Sequence, residues 1–297
     1  MTRSTPELTV SLVLDLPLQL GEGAIWHEGE CKLYFVDIQG KTLHRFDPRT
    51  GEHAVVLEGQ TISGMTVQET DELLLFQDGG RISRFVDGNV IPLREPIPED
   101  AGTRFNDVIA DPRGRVFCGT MPSSDRPGHL YRLDPDGSLR TVIHDAGVSN
   151  GMDFSTDGRW FYHTNTTRET ITRYPYDLET GDFPEHGGEV IIGPPTDREG
   201  KPDGMTFDAT GGIWSCHWGG SAVHHFSPQG DHLQTVTIPA KNVTSIAFVG
   251  DDYRRAYITS AGGDDRDANG EFAGSVFVLD CPTAGRPPFC SRILLDG

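Results

Sequence analysis

Arg104-Phe105-Asn106-Asp107-Val108-Ile109-Ala110-Asp111-Pro112-Arg113-Gly114-Arg115-Val116-Phe117-Cys118-Gly119-Thr120-Met121 reads as two short strands joined by a turn. Val108 and Ala110 alternate in the first strand, and Val116 and Cys118 in the second. Between them, Pro112 presets its own φ and Gly114 can supply a positive φ, chemistry that suits a hairpin. The chain repeats this pattern. Asn150-Gly151-Met152-Asp153-Phe154 leads through Asp157-Gly158 into a strand at 160–163, and Asp203-Gly204-Met205-Thr206-Phe207 leads through Thr210-Gly211 into 213–216. Glu22-Gly23-Ala24-Ile25-Trp26 and Ser63-Gly64-Met65-Thr66-Val67 fit as well, and Ser245-Ile246-Ala247-Phe248 is a sixth, weaker copy. The first positions are 22, 63, 106, 150, 203 and 245, so the spacings are 41, 43, 44, 53 and 42 residues. Third strands follow at 42–46, 81–85, 128–133, 171–174, 223–226 and 274–279, with shorter fourth strands such as 54–57, 139–143 and 233–238. Four short strands in each unit of just over 40 residues predict an all-β, six-bladed β-propeller with four-stranded antiparallel blades.

No linker or composition break divides the 297 residues, so residues 1–297 read as one domain. The 36 Gly and 20 Pro suit many tight turns and argue against a helical protein. A propeller must close its ring, and residues 8–14 (Leu-Thr-Val-Ser-Leu-Val-Leu) are predicted to complete the last blade beside 274–279. The sequence leaves open whether residues 292–295 pair there too. Two insertions, 181–202 in the fourth unit and 262–272 in the sixth, map to loops, where a repeat fold commonly shapes its binding site.

The formal charge of −19 and pI of about 4.8 argue against nucleic acid or an anionic membrane as partner. Met1-Thr2-Arg3-Ser4-Thr5-Pro6-Glu7 lacks the pattern of a signal peptide, and no run approaches the roughly 18 apolar residues of a membrane span. The five cysteines (31, 118, 216, 281 and 290) lack paired metal spacing; Cys31, Cys118 and Cys216 lie in or beside second strands and read as core packing. The expectation is a reduced, cytoplasmic setting and a monomer or weak oligomer. Asn165-Thr166-Thr167 and Asn242-Val243-Thr244 match the glycosylation pattern, which has meaning only in a secreted protein.

The innermost strand of each blade lines the central channel, so equivalent positions form a ring about the axis. The first positions read Glu22, Ser63, Asn106, Asn150, Asp203 and Ser245, all with side-chain oxygens. Each alone is an ordinary turn residue; six in register are not. Two carboxylates and two amide oxygens converging on one axis suit a hard divalent cation. Glu22 and Asp203 supply charge; Asn150, with Asn106 as a second candidate, supplies neutral oxygen. The absence of a thiolate or His-rich set argues against structural zinc. Calcium, magnesium, manganese, iron(II) and zinc in an oxygen-rich catalytic site all remain open.

These residues resemble the gluconolactonase / senescence marker protein (regucalcin) / luciferin-regenerating enzyme family. The resemblance rests on Leu20-Gly21-Glu22-Gly23 with Trp26 and Phe35-Val36-Asp37-Ile38, on Arg104-Phe105-Asn106-Asp107 through Gly119-Thr120-Met121, on Ser149-Asn150-Gly151-Met152-Asp153 and on Pro202-Asp203-Gly204-Met205. Trp218-Gly219-Gly220 and Phe226-Ser227-Pro228-Gln229-Gly230 are similar to the bacterial sugar-lactonase branch. The resemblance implies a six-bladed propeller that hydrolyses a small-molecule sugar lactone with one divalent metal. It implies that Glu22, Asn150 and Asp203 hold the metal and that Arg104 and Asn106 contact the substrate. Where some relatives carry an acidic residue after Gly-Thr-Met, this chain has Pro122-Ser123-Ser124-Asp125. The reaction that fits is metal-assisted ester hydrolysis with Asp203 as general base.

Gly147-Val148-Ser149-Asn150-Gly151 matches the G-x-S-x-G nucleophile pattern, but that elbow needs a following helix and here a strand and turn follow. His163 and His217 end second strands and are candidates to face the substrate; Trp218 reads as a pocket wall. Asp37 and Asp153 are candidates to orient the site. Two other readings stay open: a promiscuous metal-dependent esterase or organophosphate hydrolase, and a non-catalytic metal-binding propeller.

Overall fold

The structure is a computed structural model that describes residues 8–194 and 196–294. The segment Met1–Glu7, read above for a leader, lies outside the described residues. Six four-stranded sheets form the blades, each built from consecutive antiparallel strands except the last. Their innermost strands are Gly21–His27, Ile62–Val67, Phe105–Ala110, Ser149–Phe154, Lys201–Phe207 and Asn242–Val249. No helix among the described residues is long and apolar enough to cross a membrane.

Strands buried on both faces read as unbroken apolar runs, and the second blade shows how that run is divided. In Leu73-Leu74-Leu75-Phe76, alternate side chains go to opposite faces of the sheet. Leu73 and Leu75 pack with Tyr34, Val36 and Met65 toward the first blade, while Leu74 and Phe76 pack with Phe105, Val116 and Cys118 toward the third. The core is therefore distributed between neighbouring blades, and each blade needs both neighbours.

The ring closes as the sequence predicts. Val10–Leu14 pairs antiparallel with Val276–Asp280, with Val10 opposite Leu279, as the outer strand of the last blade. Residues 292–294 do not join that edge. Instead the C-terminal segment crosses the far face of the propeller, the face at which the innermost strands end. The amide of Ser291 donates to Val67 O at 2.8 Å, that of Arg292 to Gly114 O at 2.9 Å and that of Leu294 to Pro135 O at 2.7 Å. Ile293 is buried in the cluster between the second and third blades.

On its way the segment inserts Arg286 into the base of the axial channel. Arg286 forms an ion pair with Asp153 and stacks over Phe289 at 4.4 Å. Arg286, Pro287, Pro288 and Phe289 thereby floor a cavity of about 130 Å³ whose walls are the innermost strands.

One packing expectation fails. Cys118 and Cys216 are buried, but Cys31 is exposed, because it occupies the turn between the first two strands with a φ of 53°. Asn165 and Asn242, the two asparagines of the glycosylation patterns, are both buried.

The Arg286–Asp153 pair yields a stability prediction. Arg286→Ala leaves a buried carboxylate without its counter-charge, which costs about 3 kcal/mol. Urea unfolding of variant and wild type measures it, and a difference under about 1 kcal/mol would mean the pair does not hold the floor in place.

Candidate active site

All six ring residues sit where the ladder of the innermost strand is interrupted. The pairing register shifts between Glu22 and Ile25, Ile62 and Gly64, Phe105 and Val108, Asn150 and Met152, Pro202 and Met205, and Val243 and Ile246. A bulge bends the strand and re-aims a side chain. The device recurs in every blade, so six side chains that would otherwise lie along sheet faces meet at one mouth. They are buried, from 1% exposed at Ser63 to 8% at Ser245.

The glycine after the ring residue has a steric reason. A Cβ at Gly151 would lie 2.5 Å from the amide nitrogen of Met205, and one at Gly204 would lie 2.6 Å from the carbonyl oxygen of Thr244. The next blade's backbone occupies that space, so a side chain there would push the blades apart. The second positions read Gly23, Gly64, Asp107, Gly151, Gly204 and Ile246. Asp107 breaks the pattern with a charge, and its residue lines the axial cavity.

The structure brings Arg104, Asn106 and Asn150 into one hydrogen-bonded line. Arg104 Nη1 donates to Asn106 Oδ1 at 2.7 Å, with further bonds to Phe105 O at 2.9 Å and Ser63 Oγ at 3.5 Å. Asn106 Nδ2 donates to Asn150 Oδ1 and to Ser149 O, both at 2.8 Å. Guanidinium can only donate, so it fixes the Asn106 amide with its oxygen toward Arg104 and its nitrogen toward Asn150. Both Asn106 hydrogens are then engaged, and only oxygen lone pairs remain to offer a ligand.

Glu22, Asp107 and Asp203 complete the group, and their ionisation is strongly perturbed. Burial, then repulsion from Asp107, raises Glu22 well above the usual range. Burial raises Asp203 too, with repulsion from Glu22 and Asp107 added. Burial lifts Asp107 to about 7, against a partial offset from Arg104. Arg104 is pulled down by burial and up by all three carboxylates. Fully ionised, three carboxylates and one guanidinium leave this centre at −2, the charge a divalent cation neutralises. Among the described residues no three His, Cys, Asp or Glu side chains converge closely enough to hold an ion by themselves. A cation between Glu22 and Asp203 would therefore need the Asn150 amide oxygen, a hard donor set that fits calcium or magnesium-like ions better than soft ones.

The remaining candidates separate cleanly. Asp37 accepts from the amides of Gln19, Leu20 and Gly40 at 2.8–2.9 Å, which fixes the chain just before Glu22. Asp153 accepts from the amides of Phe154 and Phe207, both at 2.8 Å, besides pairing with Arg286 below. Ser149 is fully buried in a strand, with Oγ 2.9 Å from His163 Nε2, so neither is presented to a substrate. His217 and Trp218 pair with Pro202 and Lys201 at the mouth; Trp218 is 38% exposed and forms rim. Asp125 is exposed and accepts from Ser123 Oγ at 2.6 Å. The 262–272 loop lies on the mouth face, held by Gly263 N to Gln19 O and Lys241 N to Asn269 O.

Residues 20–262 match the family described as the SMP-30/Gluconolactonase/LRE-like region. The chain belongs to this family. It is 44% identical to a pentonolactonase of Haloferax volcanii over 295 residues, covering 97% of this chain and 100% of the relative. It is 31% identical to regucalcin of Gallus gallus over 285 residues, covering 91% of this chain and 94% of that one. Among solved structures it superposes on a luciferin-regenerating enzyme with a TM-score of 0.88 at 25% identity, covering 96% of this chain and all of the other. A calcium-binding regucalcin from Agrobacterium tumefaciens gives a TM-score of 0.89 at 26% identity, with 97% and 98% covered.

Asp107 is the site residue that the sequence reading passed over, although it is quoted in a motif. The signal was available: it is the charged residue in a register position otherwise held by glycine or isoleucine.

Raised carboxyl pKa values have a definite stability sign. Asp107 titrates at 3.8 in an unfolded chain and about 7 when folded, so between those values the folded state holds more protons and its stability falls as pH rises. In chelator, the Tm of Asp107→Asn should therefore gain on that of wild type as pH goes from about 5 to about 8, and the added ion should narrow the gap. A gap that is flat with pH would contradict the desolvation that raises Asp107 in the folded state.

Proposed function

We propose that this chain is a sugar lactonase acting on the lactone of a pentonic acid, with one divalent cation held by Glu22, Asn150 and Asp203. The observation that carries the reading is the gathering of two buried carboxylates, Glu22 and Asp203, with the half-buried Asp107 and Arg104 in one electrostatically coupled group, at a mouth ringed by oxygen-bearing side chains. A propeller that only docks another macromolecule gains nothing from that arrangement, because each desolvated carboxylate costs stability until charge is returned to it. The substrate class is supported by the pentonolactonase at 44% identity across the whole of both chains. The oxygen donor set favours a hard ion, and the calcium-binding regucalcin of the same fold is in keeping with that.

A bound divalent cation would supply Lewis-acid polarisation of the lactone carbonyl and would acidify the attacking water. The chain's own residues do the rest. Asp203 takes the proton of the water as it adds to the carbonyl carbon. Collapse of the tetrahedral adduct then breaks the ring C–O bond, and Asp203 returns the proton to the departing alkoxide, giving the open hydroxy acid. Arg104 Nε and Nη2 have no partner among the described residues and serve the lactone's hydroxyl or carbonyl oxygens. Asn106, its hydrogens engaged, accepts from a substrate hydroxyl through Oδ1.

Chelator-stripped protein should hydrolyse no lactone above the spontaneous rate, and one or more divalent ions should restore turnover. Xylono- and arabinonolactone should exceed galactono- and gluconolactone, as followed by proton release. Glu22→Gln and Asp203→Asn should each lose about 1,000-fold or more, since several kcal/mol of charge stabilisation is removed, while circular dichroism is unchanged. Full turnover in either variant sinks the ligand assignment.

A further inference from the structure

The hydrogen-bonded line that begins at Arg104 does not stop at Asn150. Asn150 Nδ2 donates to Thr166 Oγ1 at 2.8 Å, and Thr166 Oγ1 donates in turn to the carbonyl oxygen of Pro202 at 2.6 Å. Pro202 is the residue before Asp203, on the innermost strand of the next blade. Thr166 lies in the turn after Trp160–Asn165, half-buried at the mouth face.

We infer that Thr166 is a positioning residue that anchors the Asn150 amide, whose direction Asn106 also sets, to the backbone that carries Asp203. This rests on the reading of Asn150 and Asp203 as cation ligands. The direction of every bond is forced from both ends. Arg104 has only donors, and the Pro202 carbonyl can only accept. Between them the two amides and the hydroxyl have one consistent arrangement, in which Asn150 Oδ1 keeps a lone pair for the axis. Without the hydroxyl, Asn150 Nδ2 loses its acceptor, and only the bond from Asn106 still holds the amide in place.

The turn is built to hold that hydroxyl. Thr166 N donates to Val148 O at 3.1 Å, and Val148 N donates to Thr167 Oγ1 at 2.9 Å. Asn165 Oδ1 accepts from Arg168 N at 3.0 Å. Asn165-Thr166-Thr167, which the sequence marks only as a glycosylation-like pattern, is thus occupied side chain by side chain in holding the turn and the two candidate ligand strands together.

The test compares Thr166→Val, which keeps shape and removes the hydroxyl, with Thr166→Ser, which keeps the hydroxyl. Calorimetric titration of chelator-stripped protein with Ca²⁺ and Mn²⁺ should show Thr166→Val binding about 10- to 100-fold more weakly, as outer-sphere changes do. Thr166→Ser should stay within about threefold, and raising the ion concentration should restore most of the lactone turnover of Thr166→Val. Wild-type ion affinity in a folded Thr166→Val overturns the inference and leaves the lactonase reading standing. If wild type binds the ion but opens no lactone, the lactonase reading falls and the affinity difference still decides for or against Thr166. Wild type that binds neither ion overturns both.

Discussion

Burying Glu22 and Asp203 beside the half-buried Asp107, with only Arg104 in reply, costs several kcal/mol per uncompensated buried charge. A fold selected for stability alone would place apolar side chains there, as it does further down the same channel with Met65, Met152, Met205 and Phe248. The cost is met in three ways. Arg104 stands among the carboxylates, the carboxyl groups hold protons more tightly than usual, and a divalent cation can restore neutrality. The same desolvation would strengthen the attraction of the centre for a cation, and of a bound cation for negative charge developing nearby.

Two backbone devices make that centre possible. A bulge at each ring position turns a polar side chain toward the axis, and glycine after three of them (Gly64, Gly151 and Gly204) lets the neighbouring blade close in, while Gly23 takes a positive φ. Because the bulges lie at equivalent points of the repeat, the donors arrive at one level without long loops or flexible side chains. Orientation within the ring then comes from polarity rather than from sterics. Arg104 imposes a direction that passes through Asn106 to Asn150, so an amide that is symmetric in shape presents its oxygen.

The opposite end of the channel is finished by the C-terminal segment. Its amides pair with turn and strand-end carbonyls of the second and third blades, Ile293 fills the cleft between those two blades, and Arg286 meets Asp153 from below. Asp153 lies on the same strand as Asn150, so the floor of the channel and the mouth are linked through one rigid element.

The chain's own residues were enough to read the six units, most of their strands, a closing strand within residues 8–14 and the ring of oxygen-bearing side chains, because these depend on period and turn chemistry that recur within about 40 residues. Glu22, Asn106, Asn150 and Asp203 were legible for that reason, as was Arg104 through its motif. The outer strand of the fourth blade, Glu189–Ile192, falls inside the stretch 181–202 that the sequence assigns to a loop. Position in the repeat says where a side chain stands, not what surrounds it. Cys31 was misread because a residue beside a strand can fall in a turn, and Asp107 was passed over because its meaning depends on glycines at equivalent positions of other blades. Thr166, Arg286 and the course of residues 281–294 have no signature in the repeat at all. Their partners lie 36 residues away for Thr166 and Pro202, and 133 for Arg286 and Asp153. Such pairs exist only once neighbouring blades have packed and the C-terminal segment has crossed the channel, and tertiary structure alone could decide them.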